Sequence, residues 1–185
     1  MKSILLVVGH NNLDISVANK GLLESIKGKQ GVTIHNLHEH DHLKKLYFND
    51  EVIKAEQEKI LQHNIILFQF PVQWYSKPAI LKMWTDNVLA YGFAHGPNGD
   101  KLVGKAMAAV ATTGVPTAAY THEGYNKRLL KDYFFSLEQM AQYMKADYKG
   151  FLHIDASRSE NEENHKAKTL ENSKNYNDFI DSLLY

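Results

Sequence analysis

The chain has 185 residues, no cysteine, and 21 basic residues against 21 acidic ones, with 44% hydrophobic content. One domain spanning residues 1–185 is expected, because domains usually run about 100–200 residues and a chain this long buries about 70% of the surface it exposes when unfolded. Cysteine catalysis, thiolate zinc sites and iron–sulfur clusters are excluded, and zero formal charge without a basic block argues against broad capture of nucleic acid or anionic membrane.

Residues 2–8 form a short, continuous apolar run closed by Gly9, the pattern of a strand buried on both faces of a parallel sheet. Comparable runs recur at 32–37, 65–70, 106–112 and 151–154. Helical spacing fills the intervals, with apolar faces at Val17, Leu22, Leu23 and Ile26, at Ile53, Ile60 and Leu61, and at Ile80, Leu81, Trp84 and Val88. The longest such face is Leu129, Leu130, Phe134, Leu137, Met140, Ala141 and Met144. Residues 157–185 read as a polar loop and then a docking helix carrying Leu170, Tyr176, Phe179, Ile180, Leu183 and Leu184. Strands alternating with helices predict an α/β fold, a flavodoxin-like three-layer sandwich whose five-stranded parallel sheet has the order 2-1-3-4-5. The apolar stretch at 4–9 is too short for a signal-peptide core or a membrane span, so a cytoplasmic protein without membrane insertion is expected.

In such folds ligands bind beyond the carboxyl ends of the strands, where strand order reverses. Three segments are directed there. Residues 9–20 lead from the first strand into a helix whose N-terminal N–H groups suit a phosphate; His10, Ser16 and Asn19 add neutral donors, although Asp14 or Ser16 would equally serve as helix caps. No GxGxxG or GxxxxGK[ST] is present, which argues against a dinucleotide fingerprint or a Walker loop. Pro71-Val72-Gln73-Trp74-Tyr75-Ser76 follows the third strand and offers large rings to a planar group, or to the next helix as plain packing. Thr112-Thr113-Gly114 ends the fourth strand, with Tyr120, His122, Tyr125 and Asn126 in the loop beyond. No catalytic acid or nucleophile stands out in these segments, as expected where a cofactor carries the chemistry.

The run Phe68-Gln69-Phe70-Pro71-Val72-Gln73-Trp74-Tyr75-Ser76-Lys77-Pro78-Ala79-Ile80-Leu81-Lys82-Met83-Trp84, preceded by Ala55-Glu56-Gln57, resembles the NAD(P)H:quinone oxidoreductase family of flavodoxin-like flavoproteins. Gly9-His10, Ser16, Ala18-Asn19-Lys20, Thr112-Thr113-Gly114, Tyr120 and Gly124-Tyr125-Asn126 fall at that family's spacing. The resemblance implies a homodimer with one flavin per subunit in a site completed at the interface. It assigns His10, Ser16, Val17, Ala18 and Asn19 to the flavin phosphate, Pro71, Val72, Gln73, Trp74 and Tyr75 to the ring, and Thr112, Thr113, Gly114 and Tyr120 to the pyrimidine side. Tyr120 would act catalytically by offsetting negative charge that develops on reduction. Tyr75, His95, Tyr125 and Asn126 would meet the substrate. Two-electron ping-pong transfer from NADPH or NADH to a small-molecule quinone is implied.

Asn126 stands where DT-diaphorase has a histidine, so a Tyr–His relay does not carry over, and His95 replaces a tyrosine of the larger members. The chain resembles the short bacterial branch, which includes modulator of drug activity and the ancillary flavoprotein of glutathione-gated potassium efflux. That branch favours FMN over FAD, and it adds an alternative role: a flavin-binding regulatory subunit of a potassium-efflux transporter.

Other clusters read more plainly. His35, His38, His40 and His42 crowd the exit of the second strand, but loop histidines without a buried supporting shell are usually solvated, so no metal is expected. Lys27, Lys29 and Lys44-Lys45 read as solvated faces, and Lys127-Arg128 sits at an expected helix start, where a cation is disfavoured.

Overall fold

The first apolar run becomes strand β1 (Ile4–Val8), whose five residues are all buried. The computed structural model describes residues 1–44 and 48–185, apart from the side chains of His42 and Lys44. After β1 come α1 (Val17–Ser25), β2 (Val32–Asn36), α2 (Asp41–Lys44), α3 (Asp50–Leu61), β3 (Ile65–Pro71), α4 (Ala79–Val88), β4 (Ala106–Thr113), α5 (Leu130–Tyr133), α6 (Phe135–Tyr143), β5 (Asp147–Asp155) and α7 (Glu162–Leu184). The five strands pair in parallel in the order β2-β1-β3-β4-β5, as expected from the sequence. The order reverses at β1 and β3, which places the ligand crevice beyond their carboxyl ends.

Alternating residues of the strands supply two cores. Leu5, Val7, Phe68, Phe70, Met107 and Ala109 pack with Ile60, Trp84, Val88 and Leu137 from α3, α4 and α6. Ile4, Leu6, Ile65, Leu67, Ala108 and Val110 pack on the other face with Leu22 and Leu23 from α1 and with Tyr176, Ile180 and Leu183 from α7. This is the period of two that a strand imposes, with helices sealing both faces.

Three expectations need correction. The long helix read from Leu129 to Met144 is two helices, broken at Phe134, whose backbone leaves the helical region (φ −116°, ψ 15°). Its ring stacks on Phe151 at 5.3 Å and meets Phe70 at 5.2 Å, so packing against the sheet outweighs helical continuity. The longest helix is instead α7, with 23 residues. Strand β5 starts at Asp147, before the run at 151–154, because an edge strand accepts polar residues on its outward face. Finally, Val17, Leu61 and Leu170 are exposed, whatever their helical spacing implied.

Glu56 of the Ala55-Glu56-Gln57 stretch belongs to the interior. One carboxylate oxygen meets His35 Nε2 at 2.6 Å and accepts from Trp84 Nε1 at 2.7 Å; the other accepts from Lys59 Nζ at 2.8 Å. Burial alone would push this carboxyl up, but the bonds from His35, Lys59 and Trp84 prevail and hold it at about 2. His35 is therefore a core residue, its ring 4.8 Å from that of His40. Among the described residues no group of three or more His, Asp or Glu side chains is gathered as metal ligands would be; the fourth histidine of the cluster, His42, and the Lys44-Lys45 pair lie outside the described side chains. Lys127 and Arg128 precede α5 in a turn, with Lys127 at φ 54° and its ammonium donating to the Glu123 carbonyl. No helix among the described residues is long and apolar enough to cross a membrane.

Candidate functional site

The three suspected segments meet at the carboxyl ends of β1, β3 and β4. Gly9 leaves β1 under α4, where a Cβ would come within 2.6 Å of Leu81 Cβ. Asn12 then accepts from Asp14 N, shaping the turn Leu13–Ile15, and Ser16 caps α1 by accepting from Asn19 N at 3.2 Å. The capping role is real, and it also aims the N-terminus of α1, with its partial positive charge, toward the loop. Val17 and Ala18 form the first turn of that helix.

His10 Nδ1 accepts the Asn12 N–H at 3.0 Å, which places the ring hydrogen on Nε2. Burial, aided by nearby His38, lowers the His10 pKa, so the ring offers a neutral N–H donor. Asn19 has a different task from the one its sequence position implied. Its amide is buried, donating to Thr112 Oγ1 at 2.9 Å and accepting from Gln69 Nε2 at 3.2 Å, while Gln69 Oε1 accepts from Tyr176 OH at 2.5 Å. This chain of polar groups ties α1, β3, β4 and α7 together directly beneath the loop.

Beyond β3, Gln73 and Ser76 exchange both backbone hydrogen bonds at 2.9 Å around Trp74 and Tyr75. Both central residues have positive φ, 47° and 59°, the geometry of a tight hairpin turn that Asn and Gly normally occupy. Two aromatic residues hold it at a cost of about 1–2 kcal/mol each, strain of the kind that collects at ligand sites. Trp74 is 95% exposed. The turn is linked to the first loop by Asn11 Nδ2 donating to Gln73 Oε1 at 3.1 Å, and to β4 by Val72 N donating to Thr112 O at 2.9 Å.

Beyond β4, both threonine hydroxyls are committed to the framework. Thr112 accepts from Asn19, and Thr113 donates to the Val115 carbonyl at 2.9 Å. Gly114 contributes space instead, since a Cβ there would meet nothing within 4 Å. The Tyr75 hydroxyl donates to Asn126 Oδ1 at 3.0 Å across the gap between the two loops. A cleft of about 280 Å³ results, lined by Val72, Trp74, Tyr75, Thr113, Gly114, Val115, Tyr120, Tyr125 and Asn126. No side chain charged at neutral pH lines it. Burial, with Tyr75 and Tyr133 nearby, pushes the Tyr120 pKa up, so its phenol keeps its proton and remains a donor.

Pro71, Gln73 and Thr112 do not line the cleft. His95 does not join it within one chain; its ring lies 5.9 Å from that of Tyr91 and 5.3 Å from that of Tyr143, beside a separate hollow of about 410 Å³. Three contributors were missed from sequence, the first being Val115, which lines the cleft. Tyr133 stacks on Tyr75 at 5.0 Å and donates to the Asn126 carbonyl at 3.3 Å, and His153 packs edge-on to Tyr120 at 5.6 Å. Alternation along β5 was the one available signal for His153.

Relatives agree with this architecture. The chain is 42% identical over 139 residues to the glutathione-regulated potassium-efflux system ancillary protein KefG of Erwinia tasmaniensis, covering 75% of this chain and 73% of that one. Its structure is similar to that of general stress protein 14 from Treponema denticola in complex with FMN, with a TM-score of 0.87 and 26% identity over 98% of this chain and 99% of the other. It is also similar to an NADPH-quinone reductase from P. pentosaceus, with a TM-score of 0.78 and 26% identity over 94% and 97% of the two chains. A family described by its flavodoxin-like fold matches residues 2–177, and the chain belongs to that family.

Proposed function

We propose that this protein is a flavin-dependent NAD(P)H:quinone oxidoreductase, with FMN as the favoured flavin. The observation that carries the reading is the uncharged, aromatic-walled cleft beyond β4, opened by the missing side chain of Gly114, with β4 tied to α1 by the hydrogen bond from Asn19 to Thr112. A flat, uncharged ring suits those walls, and a phosphate suits the helix terminus and the His10 Nε2–H. The FMN-bound and quinone-reducing relatives support the same assignment. When bound, the flavin supplies hydride acceptance from NAD(P)H and two-electron delivery to a quinone.

The chain's own groups do the placing. His10 and the first turn of α1, Ser16 to Ala18, hold the phosphate, with Asn19 bracing that turn from below. Val72, Trp74 and Tyr75 flank the ring and exclude water, and Tyr125 and Asn126 close the mouth toward the substrate. The Tyr120 phenol, which keeps its proton, would donate to a flavin held there and would offset the negative charge of its reduced form. Alignment of donor and acceptor in one cleft is the entropic part of the rate enhancement.

His95 serves this site only when a second copy of the chain supplies it, so the reading includes a cytoplasmic homodimer. Anaerobic titration of flavin-loaded protein with NADH and NADPH, followed by menadione, tests donor and acceptor together. Stoichiometric bleaching by the nicotinamide and recolouring by the quinone are expected; a flavin that neither donor bleaches overturns the assignment.

The likeness to KefG supports a second reading, in which the chain also binds a potassium-efflux transporter. Tyr91, Phe135 and Tyr143 are exposed outside the cleft lining and offer an apolar surface for such docking or for the dimer. Retention of purified protein on the detergent-solubilised transporter is the outcome expected from this reading.

A further inference from the structure

We infer that His153 and Asp155 of edge strand β5 are positioning residues for the pyrimidine side of the flavin site, holding the two ends of the segment 113–117 that delivers Tyr120. The inference rests on the flavin reading above. His153 and Asp155 are two residues apart and pair in register with Ala111 and Thr113 of β4, so both sit alongside the strand end that leads into the cleft. Neither lines the cleft itself, so each acts through its neighbours.

The hydrogen positions follow from counting donors. The single hydroxyl hydrogen of Thr113 goes to the Val115 carbonyl at 2.9 Å, and Oγ1 also lies 2.7 Å from His153 Nε2. The imidazole is therefore the donor in that second bond, with its hydrogen on Nε2. This fixes the first end of the segment. The same imidazole stands edge-on to the Tyr120 ring, with centroids 5.6 Å apart and planes at 85°, and so limits where the phenol points.

Asp155 fixes the other end. Its Oδ2 accepts from Thr117 N at 3.2 Å, at the start of the turn Thr117–Ala119 that runs directly into Tyr120. Its Oδ1 is held from the opposite side by Ser157 N at 2.9 Å, Ser157 Oγ at 2.6 Å and Lys168 Nζ at 3.3 Å, so the carboxylate is an anchored post. Ala156 N adds a bond to the Thr113 carbonyl at 2.9 Å. Tyr120 thus inherits its position from β5 and, through Lys168, from α7. Burial lowers the His153 pKa, partly opposed by Asp155, and the Nε2–H that Thr113 accepts is present whether or not the ring takes a second proton.

Three variants test this. His153→Phe keeps a ring against Tyr120 and removes the N–H; His153→Gln restores an N–H donor near Nε2; Thr113→Val removes the acceptor and leaves His153 in place. The readouts are FMN affinity by fluorescence quenching, the flavin reduction potential, and the melting temperature of the flavin-free chain. His153→Phe is expected to weaken FMN binding about tenfold, the scale of one lost hydrogen bond. Its potential should move to more negative values, with little change in melting temperature, and His153→Gln should recover most of both losses. Thr113→Val, which also loses the bond to the Val115 carbonyl and changes the cleft wall, should weaken FMN binding at least as much as His153→Phe, and it carries the test if that variant does not fold. Wild-type protein that binds no FMN overturns the flavin reading itself. Wild-type protein that binds FMN, with both variants matching it in affinity and potential, overturns this inference alone, as does a His153→Phe variant that loses only melting temperature.

Discussion

The two sides of the crevice are built on opposite terms. Beneath the α1 loop, Asn19, Gln69, Thr112 and Tyr176 are buried and joined by hydrogen bonds that link two helices to two strands. Across the crevice, the turn after β3 holds Trp74 and Tyr75 in left-handed conformations, with Trp74 almost wholly in solvent. One side is stabilised by satisfied polar groups and the other carries strain. The difference separates tasks: the helix terminus must be rigid to present its N–H groups, whereas the aromatic turn sacrifices stability to keep a face open for a planar ligand.

Disrupting the braced side gives the largest effects. Gln69→Leu leaves the Tyr176 hydroxyl and the Asn19 carbonyl oxygens without their partner, and should cost about 2–4 kcal/mol in urea unfolding, since each orphaned buried group is worth about 1–3 kcal/mol. Acid probes a second buried brace, Glu56. Its pKa is lowered in the fold to about 2, so its contribution is present above the ordinary glutamate range, near 4.3, and is lost as pH falls toward 2. A Glu56→Gln variant should therefore lose part of the wild-type slope of stability against pH in that window.

Changes on the open side should move ligand binding far more than folding. Gly114→Val fills empty space next to the cleft, and is expected to weaken FMN binding at least about tenfold while shifting stability by less than about 0.5 kcal/mol. Tyr120→Phe removes only the phenol donor; stopped-flow flavin reduction by NADPH should slow about tenfold, with the fold intact. The smallest effect carries the opposite sign. Trp74→Asn relieves a left-handed aromatic residue and should raise stability by about 1 kcal/mol while weakening FMN retention. A variant that lost stability there would contradict the account of the strained turn.

The sheet was legible because β1, β3 and β4 are short, continuous apolar runs, a signal that needs no partner to be read, whereas the polar start of β5 was not. The break at Phe134 was not, because its cause is an aromatic contact with Phe70 and Phe151 on two strands far off in sequence. The candidate site divides in the same way. His10, Trp74, Tyr75 and Tyr120 could be placed from their positions after strands, since topology alone sends such residues to the crevice. Asn19 could not, because an amide in the first turn of a helix looks like a free donor until Thr112, 93 residues away, is seen to accept from it. His153 and Tyr133 stayed hidden for a similar reason: each reaches the crevice through a neighbour.

The central claim is that this cleft and the α1 terminus together hold one flavin. Isothermal titration of the flavin-free chain with FMN tests it most directly. One FMN per chain is predicted, with affinity reduced by either His10→Ala on the phosphate side or Gly114→Val on the ring side. Absence of binding, or binding indifferent to both substitutions, would contradict it.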